Sequence, residues 1–292
     1  MDERCAEMTC EQALILDCDG DELVAVISAT TEKAELGVLV IVGGPQYRVG
    51  SHRQFVLLAR QLSAAGVPAM RFDQRGTGDS CGAIRGFETI TADIETAINV
   101  FTRMCPSIRG VVLWGLCDAA SAALLYWRAT ADARVIGMVL LNPWVRSDET
   151  LARAHVRHYY PARLLQREFW QKLTRGRIDI IESIRTFGRT LKTSRHRGRT
   201  QSHDLATFQG RMAAALHGFE GPLLIILSGN DLTGKEFVEY CRSQPDCEGI
   251  FERSERVEVP GADHTFSSSA WRSIVEVRTI DWIKRYFPVQ AK

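Results

Sequence analysis

The stretch Val111-Val112-Leu113-Trp114-Gly115-Leu116-Cys117-Asp118-Ala119-Ala120-Ser121 decides how this chain is read. An apolar, β-branched run ends at a glycine, turns on a cysteine and enters an alanine-rich segment with helical character. Strand, turn and helix in succession are the setting of a nucleophile elbow. Here Cys117 stands where a serine is usual, and Ala119 replaces the last glycine of the G-x-S-x-G pattern. Small neighbours matter because the attacking side chain sits on a strained turn, where bulk would collide with strand and helix. A free cysteine alone is more often a small buried hydrophobe; the surrounding pattern singles this one out. Helix N-terminal N–H groups favour a thiolate there. Asp118 opposes it, so the reading requires a histidine partner.

That partner is expected at His264, in Val259-Pro260-Gly261-Ala262-Asp263-His264-Thr265-Phe266, just beyond a strand and before the last helix. Asp231, beyond the strand of Ile226-Leu227-Ser228, is the expected acid that orients the imidazole. Taken singly these are a turn histidine and a helix N-cap aspartate; their order, each beyond a successive strand, makes them a set. Asp263 is a rival acid but too near His264 in sequence to face it easily. Oxyanion donors are expected from the backbone N–H of Asp118 and from Gly44, with Gln46 in reserve because Pro45 has no N–H. Gln46, Tyr47 and Trp144 are the candidate substrate-contacting residues. His52, His155, His158, His196, His203 and His217 lack strand-end placement, and no ligand spacing points to a metal. No cofactor is expected, and with neither a G-x-G-x-x-G nor a P-loop lysine, nucleotide binding is not indicated.

Working outward, Ala13 to Cys18 and Leu23 to Ser28 flank Asp19-Gly20-Asp21 and predict a hairpin. Further strands are predicted over Gly37–Val42, Val67–Phe72 (pairing after Pro68), Gly110–Trp114, Val135–Leu141, Leu223–Leu227 and Arg256–Val259. Helices are predicted over Ser51–Ala65, Ile90–Phe101, Ala119–Arg128 and Ala270–Tyr286. Alternating strands and helices imply an α/β fold, a mostly parallel sheet covered on both faces. Residues 1–143 and 218–292 form the expected core, and 144–217 an expected basic helical cap. From Arg146 to Arg211 fifteen Lys/Arg stand against six Asp/Glu, although the 292-residue chain has a net charge of only +1. A solvated surface explains this most simply; an anionic acyl donor or a peripheral acidic membrane face is the sharper alternative. Hydrophobic content of 45% and charged content of 24% suit a globular protein. With no signal peptide, no apolar run long enough to span a membrane and eight scattered cysteines, a cytoplasmic location is expected and no nucleic-acid partner.

Together these residues resemble the α/β-hydrolase superfamily across nearly the whole chain, in the nucleophile–acid–base order of that fold. Val42-Gly43-Gly44-Pro45 stands where the family has His-Gly-x-Pro, and Asp73-Gln74-Arg75-Gly76-Thr77-Gly78-Asp79-Ser80 matches its D-x-R-G-x-G-x-S loop. In that loop Asp73 and Arg75 are expected to brace the turn. Gly43 to His52, Trp114 to Ser121, Leu141-Asn142-Pro143-Trp144-Val145-Arg146, Ser228-Gly229-Asn230-Asp231-Leu232-Thr233 and Gly261 to Phe266 also resemble the exosortase A system-associated hydrolase 1 family. That resemblance implies a link to bacterial exopolysaccharide and protein-sorting loci without naming a substrate. The expected function is hydrolysis of an ester or thioester through a Cys117–His264–Asp231 triad. The alternatives are acyl transfer from a thioester to a sugar or alcohol, by analogy with other cysteine enzymes on this fold, and a non-catalytic binding module.

Overall fold

In the computed structural model, which describes residues 10–31, 33–44, 46–146 and 205–288, the apolar runs become one sheet. Its strands are β1 (Glu11–Cys18), β2 (Asp21–Ser28), β3 (Leu36–Ile41), β4 (Ala69–Phe72), β5 (Gly110–Leu116), β6 (Val135–Leu141), β7 (Leu223–Ser228) and β8 (Glu255–Val259). Their order is β1-β2-β4-β3-β5-β6-β7-β8, with β1, β2 and β4 paired antiparallel and every later pairing parallel. The hairpin turns on Asp19 and Gly20, with φ of 56° and 87°, the left-handed pair that a two-residue turn between twisted strands requires.

The helices are α1 (Gln54–Ala64), α2 (Thr91–Met104), α3 (Asp118–Thr130), α4 (Phe208–Gly218), α5 (Leu232–Ser243), the single turn α6 (Ile250–Arg253) and α7 (Ser269–Tyr286). Alternate side chains of each central strand feed opposite faces of the sheet. Val38, Val40, Val112, Trp114, Val139 and Leu141 pack with Phe55, Leu58 and Leu62 of α1 and with Val275, Trp282 and Ile283 of α7. Leu39, Ile41, Leu113, Met138, Leu140 and Ile225 pack on the other face, against α2, α3, α4 and α5. Strands buried on both faces read as continuous apolar runs, which is why their positions were legible from sequence.

Two features depart from the expected organisation. Helix α4 falls inside the expected cap, yet Met212, Ala213, Ala215 and Leu216 are buried in the main core. Val145 is fully buried there too. The core therefore reclaims both ends of the 144–217 segment, because their apolar faces have α3 and the sheet to bury against. Residues 147–204, with most of the basic segment and His155, His158, His196 and His203, lie outside the described residues. Helix α5 was not anticipated: only Phe237, Tyr240 and Cys241 form its apolar inner stripe, set in a polar sequence.

The glycine-rich loop after β4 is braced as expected. Asp73, fully buried, accepts from the backbone N–H of Asp79 at 3.1 Å and pairs with Arg48. Arg75 bonds Asp93 of α2 through its backbone N–H and Nε, both at 2.8 Å, and reaches Asp19 on the hairpin turn at 3.1 Å. On the sheet, Glu11 is held by Arg60 of α1 and Arg71 of β4; the Arg60 hydrogen bond is the chief reason its carboxyl is lowered to about 2.

Candidate active site

Sheet order reverses at β3: β4 lies on one side of it and β5 on the other. In open α/β sheets the crevice beyond the carboxyl ends of the strands at such a point is where ligands sit. The loop after β3 carries Gly43 and Gly44, and the turn after β5 carries Cys117. Cys117 has φ 62° and ψ −122°, a strained conformation for a residue with a Cβ. It occupies the N-cap position of α3, but its side chain caps nothing, so the thiol is not spent on the helix. Gly115 explains the tightness of the turn: a Cβ there would lie 2.6 Å from backbone atoms of Ala119 and Ala120.

His264 Nδ1 lies 2.9 Å from Asp231 Oδ2. The same carboxylate oxygen accepts from the Gly234 N–H at 3.2 Å, so Asp231 caps α5 and holds the histidine together. One carboxylate thus both caps a helix and contacts the imidazole. With Nδ1 turned to Asp231, Nε2 is the nitrogen left for Cys117. The hydrogen bond His264 donates to Asp231 and then that with Cys117 push the His264 pKa up to about 10, against the opposing effect of burial. Burial is the largest single influence on the Asp231 carboxyl and raises it, but the bond and charge of His264 together with the backbone N–H groups of Gly234 and Thr233 outweigh it, leaving a net lowering. Asp263 turns elsewhere, accepting from the Ser267 N–H at 2.9 Å and from the Ser267 hydroxyl.

The loop after β3 approaches the elbow directly. Gly44 N–H donates to Asp118 Oδ2 at 2.8 Å. Gln46 N–H points back to the Gly43 carbonyl at 3.3 Å, while its side-chain Oε1 is buried without a hydrogen-bond partner. Tyr47 is exposed. Trp144 is tied to the elbow by its backbone: its N–H donates to the Cys117 carbonyl at 3.2 Å, and its own carbonyl accepts from the Ser121 hydroxyl at 2.7 Å. The Arg146 guanidinium stacks 4.6 Å from the Trp144 ring and pairs with the fully buried Glu236 of α5.

One positioning residue was missed. Asn142, buried at the end of β6 with φ 41°, donates from Nδ2 to the Ser228 hydroxyl at 2.8 Å and to the His264 carbonyl at 3.0 Å. Its Oδ1 accepts from the Ser228 N–H at 2.9 Å, and the Ser228 hydroxyl donates to the Asp263 carbonyl at 2.8 Å. One amide thus ties the strand leading to the acid to the loop carrying the base. An asparagine before a proline reads locally as a turn, and only its left-handed backbone aims the side chain inward.

Among the described residues no group of three or more His, Cys, Asp or Glu is arranged to hold a metal ion. No helix among them is long and apolar enough to cross a membrane.

The comparisons agree with this architecture. The esterase Pf2001 of Pyrococcus furiosus superposes with a TM-score of 0.64 at 14% identity, covering 98% of this chain and 96% of that one. Est1E of Butyrivibrio proteoclasticus, solved with ferulic acid bound, gives a TM-score of 0.62 at 14% identity, over 95% of this chain and 100% of that one. A thermophilic esterase of Thermogutta terrifontis, solved with malate bound, gives 0.56 at 17% identity, over 94% and 98%. At such identities the likeness is one of fold. No curated protein sequence matches the chain. The model of the alpha/beta hydrolase family matches residues 38–277, most of the chain and every residue of the site just described, and the protein belongs to that family.

Proposed function

We propose that this protein hydrolyses an ester or thioester through an acyl-enzyme on Cys117. The observation that carries the reading is the 2.9 Å contact of His264 Nδ1 with Asp231 behind a cysteine on a strained strand–helix turn. The Cys117 Sγ forms a bond to the carbonyl carbon and the π pair moves to oxygen, while the thiol proton rests on His264 Nε2. Collapse expels the alcohol or thiol, which leaves with that proton. Water then gives a proton to Nε2 and attacks the acyl carbon; the acid departs and the thiol is restored. The N–H groups of Asp118 and Gly44 are the donors that would hold the oxyanion. Gln46, with its unpartnered oxygen, Tyr47 and Trp144 line the approach in this reading.

The esterase neighbours support the reaction class by analogy of fold. The basic segment from Arg146 to Arg211 supports an anionic acyl donor or an acidic membrane face as partner. Resemblance to the exosortase A system-associated hydrolase 1 family supports a cytoplasmic role beside bacterial exopolysaccharide pathways. Incubation with a panel of acyl thioesters and esters, followed by intact-mass measurement, tests the chemistry. An acyl adduct on Cys117 that Cys117→Ala abolishes, together with turnover, is the expected result. No adduct, and equal turnover by both proteins across the panel, overturns it.

A further inference from the structure

One of the two donors the reaction calls on is already occupied. Gly44 N–H is bound to Asp118 Oδ2 at 2.8 Å, between loops 74 residues apart in the chain. The backbone N–H groups of Ala119 and of Asp118 itself favour the charged form of this carboxylate, against burial. Its other oxygen lies so close to Gly43 that a Cβ there would collide with it, so the loop's double glycine is shaped around this side chain. An acidic residue in the first turn of a helix is ordinary, since it offsets the dipole and takes up orphan N–H groups. Capping does not call for a donor from a separate loop. Here that donor is the one on which this fold's oxyanion pocket depends. Carboxylate and oxyanion compete for it because both are oxygen anions that accept charge-assisted N–H bonds.

We propose that the Asp118 carboxylate is an internal ligand of the oxyanion pocket, which the oxygen of an acyl substrate must displace, so that residue 118 determines which acyl groups react. The inference rests on the reading of Cys117 as nucleophile. A ground-state carbonyl oxygen is neutral and a poor competitor for a donor already bound to a carboxylate; the tetrahedral oxyanion is an equal one. The exchange therefore comes late, as charge develops. Activated acyl groups such as thioesters and aryl esters, attacked without prior polarisation of their carbonyl, are the class that passes. Plain alkyl esters are held back. Burial pushes the Asp118 carboxyl up, opposed by its backbone hydrogen bonds and by His264. The charge is thus held at the cost of hydration, which eases its departure.

An alkyl trifluoromethyl ketone tests the pocket without turnover. Cys117 Sγ adds to its carbonyl carbon, the π pair moves to oxygen, and the thiol proton goes to His264 Nε2, leaving an oxyanion with no leaving group. Its affinity is read from protection of Cys117 against iodoacetamide, in wild type, Asp118→Ala and Asp118→Ser, with folding checked by thermal melting. Serine keeps an oxygen for the helix turn but cannot span to Gly44, and stands in should the alanine variant not fold. Affinity is expected to tighten about tenfold or more in the shortened variants, and acetate is expected to compete with the ketone in them but not in wild type. Equal or weaker affinity with no competition by acetate overturns the plug while leaving the nucleophile in place. Absence of any ketone adduct in all three proteins overturns the nucleophile reading and this inference with it.

Discussion

The charges at the N-terminal edge of the sheet and those at the carboxyl ends of its parallel strands are used in opposite ways. At the edge the charges are closely paired: Glu11 with two arginines, and Arg75 with Asp93 through backbone and side chain. Asp93 and Arg75 are both almost wholly buried, and such a closed pair has no capacity left for a ligand. At the strand ends, Cys117, Asp118, Asp231 and His264 are only partly buried, and the Asp118–Gly44 bond and the Nε2 side of His264 are open to exchange with a reacting molecule. Completing a charge builds the fold; leaving its completion exchangeable builds a site.

Disrupting the open network is expected to cost activity and little stability. Asp231→Asn removes the charge behind His264 and lets the imidazole take the wrong tautomer; kcat on a thioester is expected to fall by about 10³–10⁴, with a thermal midpoint close to wild type. A loss below tenfold in a steady-state assay would set Asp231 back to a helix cap. The reverse holds at the edge. Asp93→Ala removes the buried partner of the Arg75 guanidinium and leaves it Asp19 alone within 3.1 Å, and denaturant unfolding is expected to report a loss of up to about 3–5 kcal/mol with the acylation rate per folded molecule preserved.

Asn142 joins the two behaviours. Asn142→Ala leaves the Ser228 N–H without its acceptor and is expected to cost about 1–3 kcal/mol, together with a drop in kcat larger than any change in KM, as the His264 loop loses its tie. An unchanged kcat would confine Asn142 to stability.

Smaller effects come from pH. The His264 pKa is raised to about 10, so its contribution to stability is complete below about 6.5 and is lost as pH rises towards 10. Alkaline destabilisation in that window is expected to shrink in His264→Ala, measured by urea midpoints. Glu11 has the opposite sign: its carboxyl is lowered to about 2, so stability present above about 4.5 is lost as pH falls towards 2, and Glu11→Gln flattens the acid limb. Since Glu11 is only partly buried, solvent screening keeps that effect modest.

Local patterns carried much of this molecule. Val135–Leu141 is a strand in the residues anticipated, β3 is shifted by one residue at both ends, and β5 and β7 run one or two residues further than expected. Helix α5 escaped because half of what it buries is small or polar (Thr233, Gly234 and Glu236), which leaves an apolar inner stripe of only three residues. Helix α4 was assigned to a cap because charge and aromatic content do not reveal which neighbour a helix will bury against. The elbow was visible because its turn needs small residues in consecutive order, and such a demand is written within a few positions. Asp263 was set aside as acid on proximity alone, and its bonds to Ser267 supply the reason.

The periods of apolar residues, the small residues around Cys117 and the order cysteine, aspartate, histidine are properties of neighbouring positions, so the chain carries them unfolded. The Gly44–Asp118 bond spans 74 residues, the Asn142–His264 tie 122 and the Asp231–His264 contact 33. These partners meet only when β3, β5, β6 and β7 lie side by side and their carboxyl ends share one crevice. Packing of the sheet, which no local pattern encodes, therefore decides that the Gly44 N–H, expected to be free for an oxyanion, is held by the side chain of Asp118.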